Sequence, residues 1–337
     1  MSEVTEALTE VTAAERRELR DLRAEVDRLQ RIADYSGRPL KPPRWTTPKR
    51  TAGEKRAIVC TILSDLHLDE VVNPAEIDGI NAYDRTIAEQ RLKRYFGNVG
   101  KLANEYLQGM AYDGCVLMLG GDLISGDIHE ELAETNEGTA LETVLFWTER
   151  LAAGISLLAD TFGRVHVPVV VGNHGRRTRK PRAKRRARDN FDWLIGQMLA
   201  RHFHEDSRVT FEIPDGTDVL VEVYDTRFLL THGDQVGGGG GIGGIWPGVM
   251  RMRAKKQDRY SAQGGFNTVV MGHFHQLIMA PDAGIIVNGS TKGLDEYAAS
   301  INAKPERPQQ ALWTVAPGRG VTFSAAVHVA DRASEGW

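Results

Sequence analysis

Residues 57–67 read AIVCTILSDLH. Ile58–Leu63 is a short apolar run rich in β-branched residues, which predicts a strand buried on both faces. It stops at Ser64 and then delivers Asp65 and His67. The same pattern recurs twice. Cys115–Leu119 runs into Gly120-Gly121-Asp122, and Val165–Val171 runs into Gly172-Asn173-His174. Helical periodicity occupies Asn81–Leu107, Thr139–Phe162 and Asn190–Phe203. Beyond these the chain is richer in short strands: Val209–Ile213, Val219–Val223, Arg227–Thr231, Asn267–Met271, Ile285–Val287 and Leu312–Val315. Strand–helix alternation followed by a strand-rich half predicts an α/β protein with a mixed sheet or two packed sheets.

Two later strands end as the early ones do. Arg227–Thr231 meets His232-Gly233, and Asn267–Met271 meets Gly272-His273-Phe274-His275. Ligand sites in open α/β sheets lie beyond the carboxyl ends of strands, so these five loops should converge. Asp65 and Asp122 would contribute carboxylate oxygens, Asn173 an amide oxygen, and His67, His232, His273 and His275 imidazole nitrogens. Mixed nitrogen and oxygen donors suit Mn²⁺, Fe or Zn²⁺ better than Ca²⁺. Seven donors exceed one tetrahedral site but fit two divalent ions sharing a carboxylate. Two such ions roughly 3.5–4 Å apart can bind both oxygens of an in-line phosphoryl displacement and activate a bridging water. Each motif alone is weak; the ordered set, each member placed just after an apolar run, is specific.

These residues resemble the calcineurin-like metallophosphoesterase superfamily, whose pattern is Asp-x-His, Gly-Asp, Gly-Asn-His, Gly-His or a near equivalent, and Gly-His-x-His. The resemblance covers roughly residues 57–290. It implies a four-layer αββα sandwich of two mixed sheets flanked by helices, here preceded by an N-terminal helix. Carried over by motif, Asp65, His67 and His275 would hold one metal, Asn173, His232 and His273 the other, with Asp122 bridging. The resemblance makes His174 the non-ligand catalytic residue that hydrogen-bonds the phosphate and protonates the leaving oxygen. Two divalent ions are implied, with Mn²⁺ the expected metal and Fe or Zn²⁺ the alternatives. In one respect the chain departs from the pattern. Members usually carry Asp or Glu after that histidine, and here Gly175 stands instead. An acidic neighbour would orient the ring and make it a better acid, so another group must take that part.

Immediately after Gly175 come Arg176, Arg177, Arg179, Lys180, Arg182, Lys184, Arg185, Arg186 and Arg188. Such a run is either a solvated face or a track for a polyanionic substrate. Its place beside the catalytic loop favours the track, with Arg176, Arg177, Arg179, Lys180 and Arg182 as the candidate substrate-binding residues. A second cluster, Arg251, Arg253, Lys255, Lys256 and Arg259, would line the same cleft. The expected function is a dinuclear phosphodiesterase or nuclease with nucleic acid, DNA above RNA, as substrate. Gly-Asn-His-Gly-Arg is similar to an Mre11-like or phage-type DNA-repair exonuclease branch of the superfamily. Two other readings use the same residues: a small-molecule or phosphoprotein phosphatase, and a nucleic-acid-binding protein with a structural metal site.

The remaining features bound the class. The 337-residue chain is 41% hydrophobic and 26% charged with net charge −3, so any polyanion-binding signal has to be local. Cys60 and Cys115 both lie in strand runs, which argues for two buried thiols and against a disulfide or Cys-based zinc site. The N-terminus lacks an apolar h-region and no stretch approaches a membrane span, so a cytoplasmic enzyme is expected. Residues 1–35 read as an amphipathic helix with Leu19, Leu22, Val26 and Leu29 on one seam, either packed on its own domain or pairing in a short coiled-coil homo-oligomer. Residues 36–56, with four prolines among basic residues, read as an extended linker, and 57–337 as the catalytic domain. Gly237–Gly244 is either a plain surface loop or a flap over the site. Tyr83, Asp84 and Arg85 are expected on a helix surface.

Overall fold

The computed structural model describes residues 43–46, 55–237 and 244–337, together with Arg17, Arg20, Leu22, Arg23 and Val26. In chain order the main elements are β1 (Arg56–Leu63), α1 (Arg85–Lys101), β2 (Ala111–Leu119), α2 (Ala140–Phe162), β3 (Val165–Pro168), α3 (Phe191–His202) and β4 (Val209–Glu212). There follow β5 (Asp218–Val223), β6 (Thr226–Thr231), α4 (Trp246–Tyr260), β7 (Thr268–Met271), β8 (Ile278–Ala280), β9 (Ile285–Val287), β10 (Gln309–Ala316) and β11 (Gly320–His328). One sheet has the order β11-β10-β1-β2-β3-β4 and the other β5-β6-β7-β9-β8. Both are mixed: β1 runs parallel to β2 and antiparallel to β10, while β6 runs parallel to β7 and antiparallel to β5.

The period-2 geometry of a strand shows why the buried parts of β1 and β2 are mostly apolar on both faces. Val59 and Leu63 join Cys115, Leu117 and Leu119 on the face packed by α1, α2 and α3. Ile58, Cys60 and Ile62 join Val116 and Met118 on the opposite face, against Val221, Phe228, Leu230 and Val270 of the second sheet. A third cluster, including Val249, Met252, Val269 and Ile285, lies between the second sheet and α4. The order is helices, sheet, sheet, helix, the four-layer α/β sandwich expected. Cys60 and Cys115 are buried free thiols.

Several details depart from the sequence expectation. α1 starts at Arg85 rather than Asn81, because Asp84 caps it through a 2.7 Å bond from the Ile87 amide. Tyr83 is core, not helix surface: it is 1% exposed and its hydroxyl donates to the Leu66 carbonyl at 2.7 Å. β8, β11 and α4 were not anticipated. β8 is three residues long, β11 is a half-buried edge, and α4 buries only a narrow stripe, Gly248, Val249, Met252 and Lys256, within a charged sequence. Within residues 36–56, Arg44–Thr46 forms a 3-10 turn whose Trp45 packs against the inter-sheet core, and Arg56 already belongs to β1. The compact unit containing the sheets accordingly begins at Pro42. Most of the N-terminal seam and Gly238–Gly243 lie outside the described residues. The five described N-terminal positions are helical, with Leu22 and Val26 exposed. Among the described residues no helix is long and apolar enough to cross a membrane.

Candidate metal centre

All five motifs follow the carboxyl ends of strands, and their side chains meet there. Asp65, His67 and His275 form one group whose candidate ligand atoms lie within 4.8 Å of one another; Asp122, His232 and His273 form a second. A third such group, His67, Asp122 and His174, joins the two. Asp122 belongs to the second and third groups, and His67 to the first and third. The Nε2 atoms of His67 and His275 are 3.1 Å apart, and His275 Nε2 is 3.6 Å from Asp65 Oδ1. Two nitrogens held about 2.0–2.1 Å from one cation have a similar separation.

Unpaired buried atoms test whether the residues fit a cation. His232 Nδ1 donates to the Gly120 carbonyl at 2.8 Å, which leaves Nε2 to face Asp122 Oδ2 at 2.9 Å. That approach is within ion-pair distance but lacks hydrogen-bond geometry, so His232 Nε2 is buried with no hydrogen-bond partner. Asn173 Oδ1, which the motif offers as a neutral oxygen donor, is also buried and unpartnered. A buried polar atom left unpaired costs about 1–3 kcal/mol, so Asn173 Oδ1 points to a ligand that satisfies it, while His232 Nε2 faces only the Asp122 carboxylate. The donor set fits divalent cations.

The protonation states of three imidazoles and of Asp122 agree, while those of His232 and Asp65 do not. Burial, aided by Lys292, depresses His67 well below the usual histidine range; burial and His67 do the same to His275. Burial and His232 lower His273 to about 4. Three imidazoles are therefore neutral at neutral pH, the form that ligates. Burial opposes ionisation of Asp122, but His232 and His174 outweigh it and hold its carboxyl well below the ordinary range. Burial likewise opposes the charged form of His232, but Asp122 raises it to about 9. Burial lifts Asp65 to about 7, only partly countered by His232.

The local backbone is strained where the donors sit. Asp65, His67, Asp122, His273 and His275 have φ of 54°, 47°, 49°, 74° and 53°, in the left-handed region that L-residues avoid. Each such residue costs of order 1–3 kcal/mol, a strain that the surrounding contacts must overcome. Those contacts are specific. Asp65 accepts from the His273 amide at 2.8 Å and from Ser64 Oγ at 2.5 Å, and Ser64 is held by Asn288 Nδ2 at 2.8 Å. Glu70 Oε2 lies 3.3 Å from His67 Nδ1 while Glu70 Oε1 accepts from Lys292 at 2.7 Å. Lys292 is also paired with Asp295, and all three of these charged residues are buried.

The question posed by Gly175 has a structural answer. A Cβ at position 175 would lie 2.4 Å from Asn190 Oδ1 and 3.1 Å from the Asp192 carboxyl, so no acidic side chain fits. His174 is instead fixed by its amide, which donates to Asp122 Oδ1 at 2.7 Å, and by its ring Nδ1, 2.9 Å from the Ser125 carbonyl. Asp192 supports the loops from beneath. Its two oxygens accept from the backbone amides of Asp122 (3.0 Å), Leu123 (3.1 Å) and Gly172 (2.9 Å). Gly172 has no alternative: a Cβ there would sit 2.1 Å from Asp122 Oδ1. Asp192, 0% exposed, is pushed up to about 6 by burial and Asp122. Sequence reasoning missed it; the only local signal was a carboxylate just after the helix cap Asn190. His129, with its ring 5.8 Å from that of His174, was missed as well.

The basic loop divides. Arg176 donates to the carbonyls of Asn173, Thr178 and Arg179, each at 2.9 Å, so its guanidinium braces the loop. Arg177 pairs with Asp189 at 3.2 Å, Arg179 with Glu130 at 2.7 Å, Arg188 with Asp215, and Arg186 with Asp234. Lys180, Arg182, Lys184 and Arg185 are exposed and form no ion pair among the described residues. Of the five candidate substrate contacts, only Lys180 and Arg182 keep uncommitted charges.

The chain matches no family model and no curated protein. Among solved structures it is similar to a Vps29 mutant from Entamoeba histolytica, with 13% identity over 80% of this chain and 98% of that one, at a TM-score of 0.31. It is similar to a conserved uncharacterized protein, described as a predicted phosphoesterase, from Streptococcus pneumoniae, with 13% identity over 80% and 97% and a TM-score of 0.28. It is also similar to the Thermus thermophilus sulfate thiohydrolase SoxB, with 11% identity over 83% and 57% and a TM-score of 0.31. Independently of these, the resemblance to calcineurin-like metallophosphoesterases extends from the five motifs to the two mixed sheets and the meeting of the motif side chains.

Proposed function

We propose that the protein is a dinuclear metal-dependent phosphoester hydrolase acting on nucleic acid. The observation that carries the hydrolase reading is the meeting of two donor groups, Asp65–His67–His275 and Asp122–His232–His273, linked through His67 and Asp122 in a third, with a buried unpaired oxygen at Asn173. Asp65, His67 and His275 would hold one ion, Asn173, His232 and His273 the other, and Asp122 would belong to both. When bound, two divalent cations polarise the phosphoryl oxygens and supply a nucleophilic water near neutral pH.

The rest of the chemistry belongs to the chain. His174, its ring set by the Ser125 carbonyl, presents Nε2 beside the Asp122–His67 group, where it can hydrogen-bond a phosphate oxygen or give a proton to the leaving oxygen. The Asp192 carboxylate keeps the Asp122 and Gly172 backbones fixed, so that little reorganisation remains for the reaction itself. Exposed Lys180, Arg182, Lys184 and Arg185 on the loop that follows His174 support a polyanionic substrate over a lone phosphomonoester.

The test is a side-by-side assay of a nitrophenyl monoester, its bis-ester, single-stranded DNA and duplex DNA with Mn²⁺, with Asp122→Ala as control. Cleavage of DNA and of the bis-ester, abolished in the variant, is expected. Faster turnover of the monoester, unaffected by neutralising the basic loop, would replace this reading with a phosphatase. Two bound metals without hydrolysis of any ester would leave a structural site.

A further inference from the structure

We infer that α4 carries a second phosphate-binding site, a cationic trough that holds the backbone of the same nucleic-acid strand away from the reacting ester; the inference rests on the nuclease reading above. Arg251, Lys255 and Arg259 recur every fourth residue, are exposed, and border a cavity of about 330 Å³ together with Gln235 and Gly237. Four residues of helix rise about 6 Å, so the three cations form a row about 12 Å long. A stacked strand advancing about 3.4 Å per nucleotide passes three or four phosphates over that length.

Two contrasts separate this row from a merely solvated face. The other basic residues of α4 are committed to the fold. Arg253 donates to the carbonyls of Gly284 (3.1 Å) and Asn267 (3.2 Å), and Lys256 is buried against Asp218 at 2.6 and 2.7 Å. The row itself has almost no counter-charge. Arg251 and Lys255 form no ion pair among the described residues, and Arg259 is 3.8 Å from Asp218. That carboxylate already accepts from Lys256, from Thr231 Oγ1 at 2.8 Å and from Tyr260 at 3.2 Å. Asp258 is the one acidic residue of α4.

The trough is also tied to the centre. Lys256 Nζ reaches Thr231 Oγ1 at 3.3 Å, one residue before His232, which anchors α4 beside the strand that delivers this donor. Arg186 of the basic loop pairs with Asp234, two residues after His232, and Gln235 lines the cavity. The segment from His232 to Gln235 therefore links a residue of the centre to the trough, with Arg186 paired to Asp234 between them.

Fluorescence anisotropy of the full chain with a labelled oligonucleotide, titrated between 50 and 200 mM salt, tests the trough without relying on catalysis. The triple variant R251Q/K255Q/R259Q should flatten the dependence of log affinity on log salt by about 2–3. The loss of affinity across that range then shrinks about 20- to 40-fold relative to wild type, for three contacts at 0.7–0.9 each. The charge-conserving R251K/K255R/R259K should keep the wild-type slope; its loss in both variants would mean damage to the fold and overturn the assignment. A triple Gln variant with the wild-type slope also overturns the trough, yet leaves the nuclease reading standing if the wild type cleaves DNA. Wild-type protein that binds no oligonucleotide overturns both.

Discussion

The floor of the centre and its basic rim are built in opposite ways. On the floor the groups that support the donors are partnered within the fold: Asp192 takes three backbone amides, Asp65 takes the His273 amide, and Glu70 is held by Lys292. Five of the donors sit at positive φ, a conformation retained only because those contacts over-determine it. The rim is exposed, and its ion pairs, such as Arg177–Asp189, are worth roughly 0–1 kcal/mol each. The floor is held by many buried contacts, and the rim by few exposed ones. Strength of placement marks chemistry, and looseness of placement marks recognition.

Removing the shared carboxylate should break the floor's function most severely. Asp122→Ala is expected to reduce hydrolysis by at least about 10³-fold, the equivalent of roughly 4 kcal/mol of transition-state stabilisation. Metal analysis of the purified variant should find fewer than two ions per chain; full loading with full activity would end the bridging assignment.

Next in size is the support beneath it. Asp192→Ala leaves three buried amides without acceptors, and unfolding in denaturant should show a loss of about 3 kcal/mol or more. Asp192→Asn, which keeps one oxygen, should recover part of that loss. Stability equal to wild type in the alanine variant would show that the loops are held by something else.

The floor should also reveal itself through protons. With Asp122 holding its imidazole up to about 9, His232 carries a proton at pH 7.5 that a cation must displace. Metal affinity therefore rises with pH through this range, and binding should release about one proton, most of it from His232. Calorimetry in buffers of different ionisation enthalpy measures this number, and Asp122→Asn, which removes the charge that raises His232, should bring it down.

The smallest structural effect belongs to the rim. Replacing Lys180, Arg182, Lys184 and Arg185 by Gln should change folding stability by no more than about 0.5 kcal/mol per site while raising KM for DNA and flattening its salt dependence. A large fall in melting temperature would mean that the loop is part of the floor after all.

Much of this was legible in the chain itself. A buried strand is apolar on both faces, and a loop that delivers donors follows its end, so Ile58–Leu63 with Asp65 and His67 carries the information locally. The same holds for Asp122, Asn173, His232, His273 and His275, and for the helix that Thr139 and Glu142 open with a capping box. α4 and β11 escaped because a mostly polar helix and a half-exposed edge strand have weak hydrophobic periodicity.

What the sequence by itself determined is the inventory: which donors exist, in what order, and that each sits at a strand end. Only the tertiary structure decided the partners of those donors. Asp192 is 70 residues from the Asp122 amide it holds, and Lys292 is 222 from Glu70. It also decided that Gly175 leaves room for Asn190 and Asp192, and that Arg176 braces a loop while Arg251, Lys255 and Arg259 face a cavity. The physical reason is that periodicity and capping act within a few residues, whereas a buried carboxylate or an uncommitted cation is defined by what the fold brings beside it.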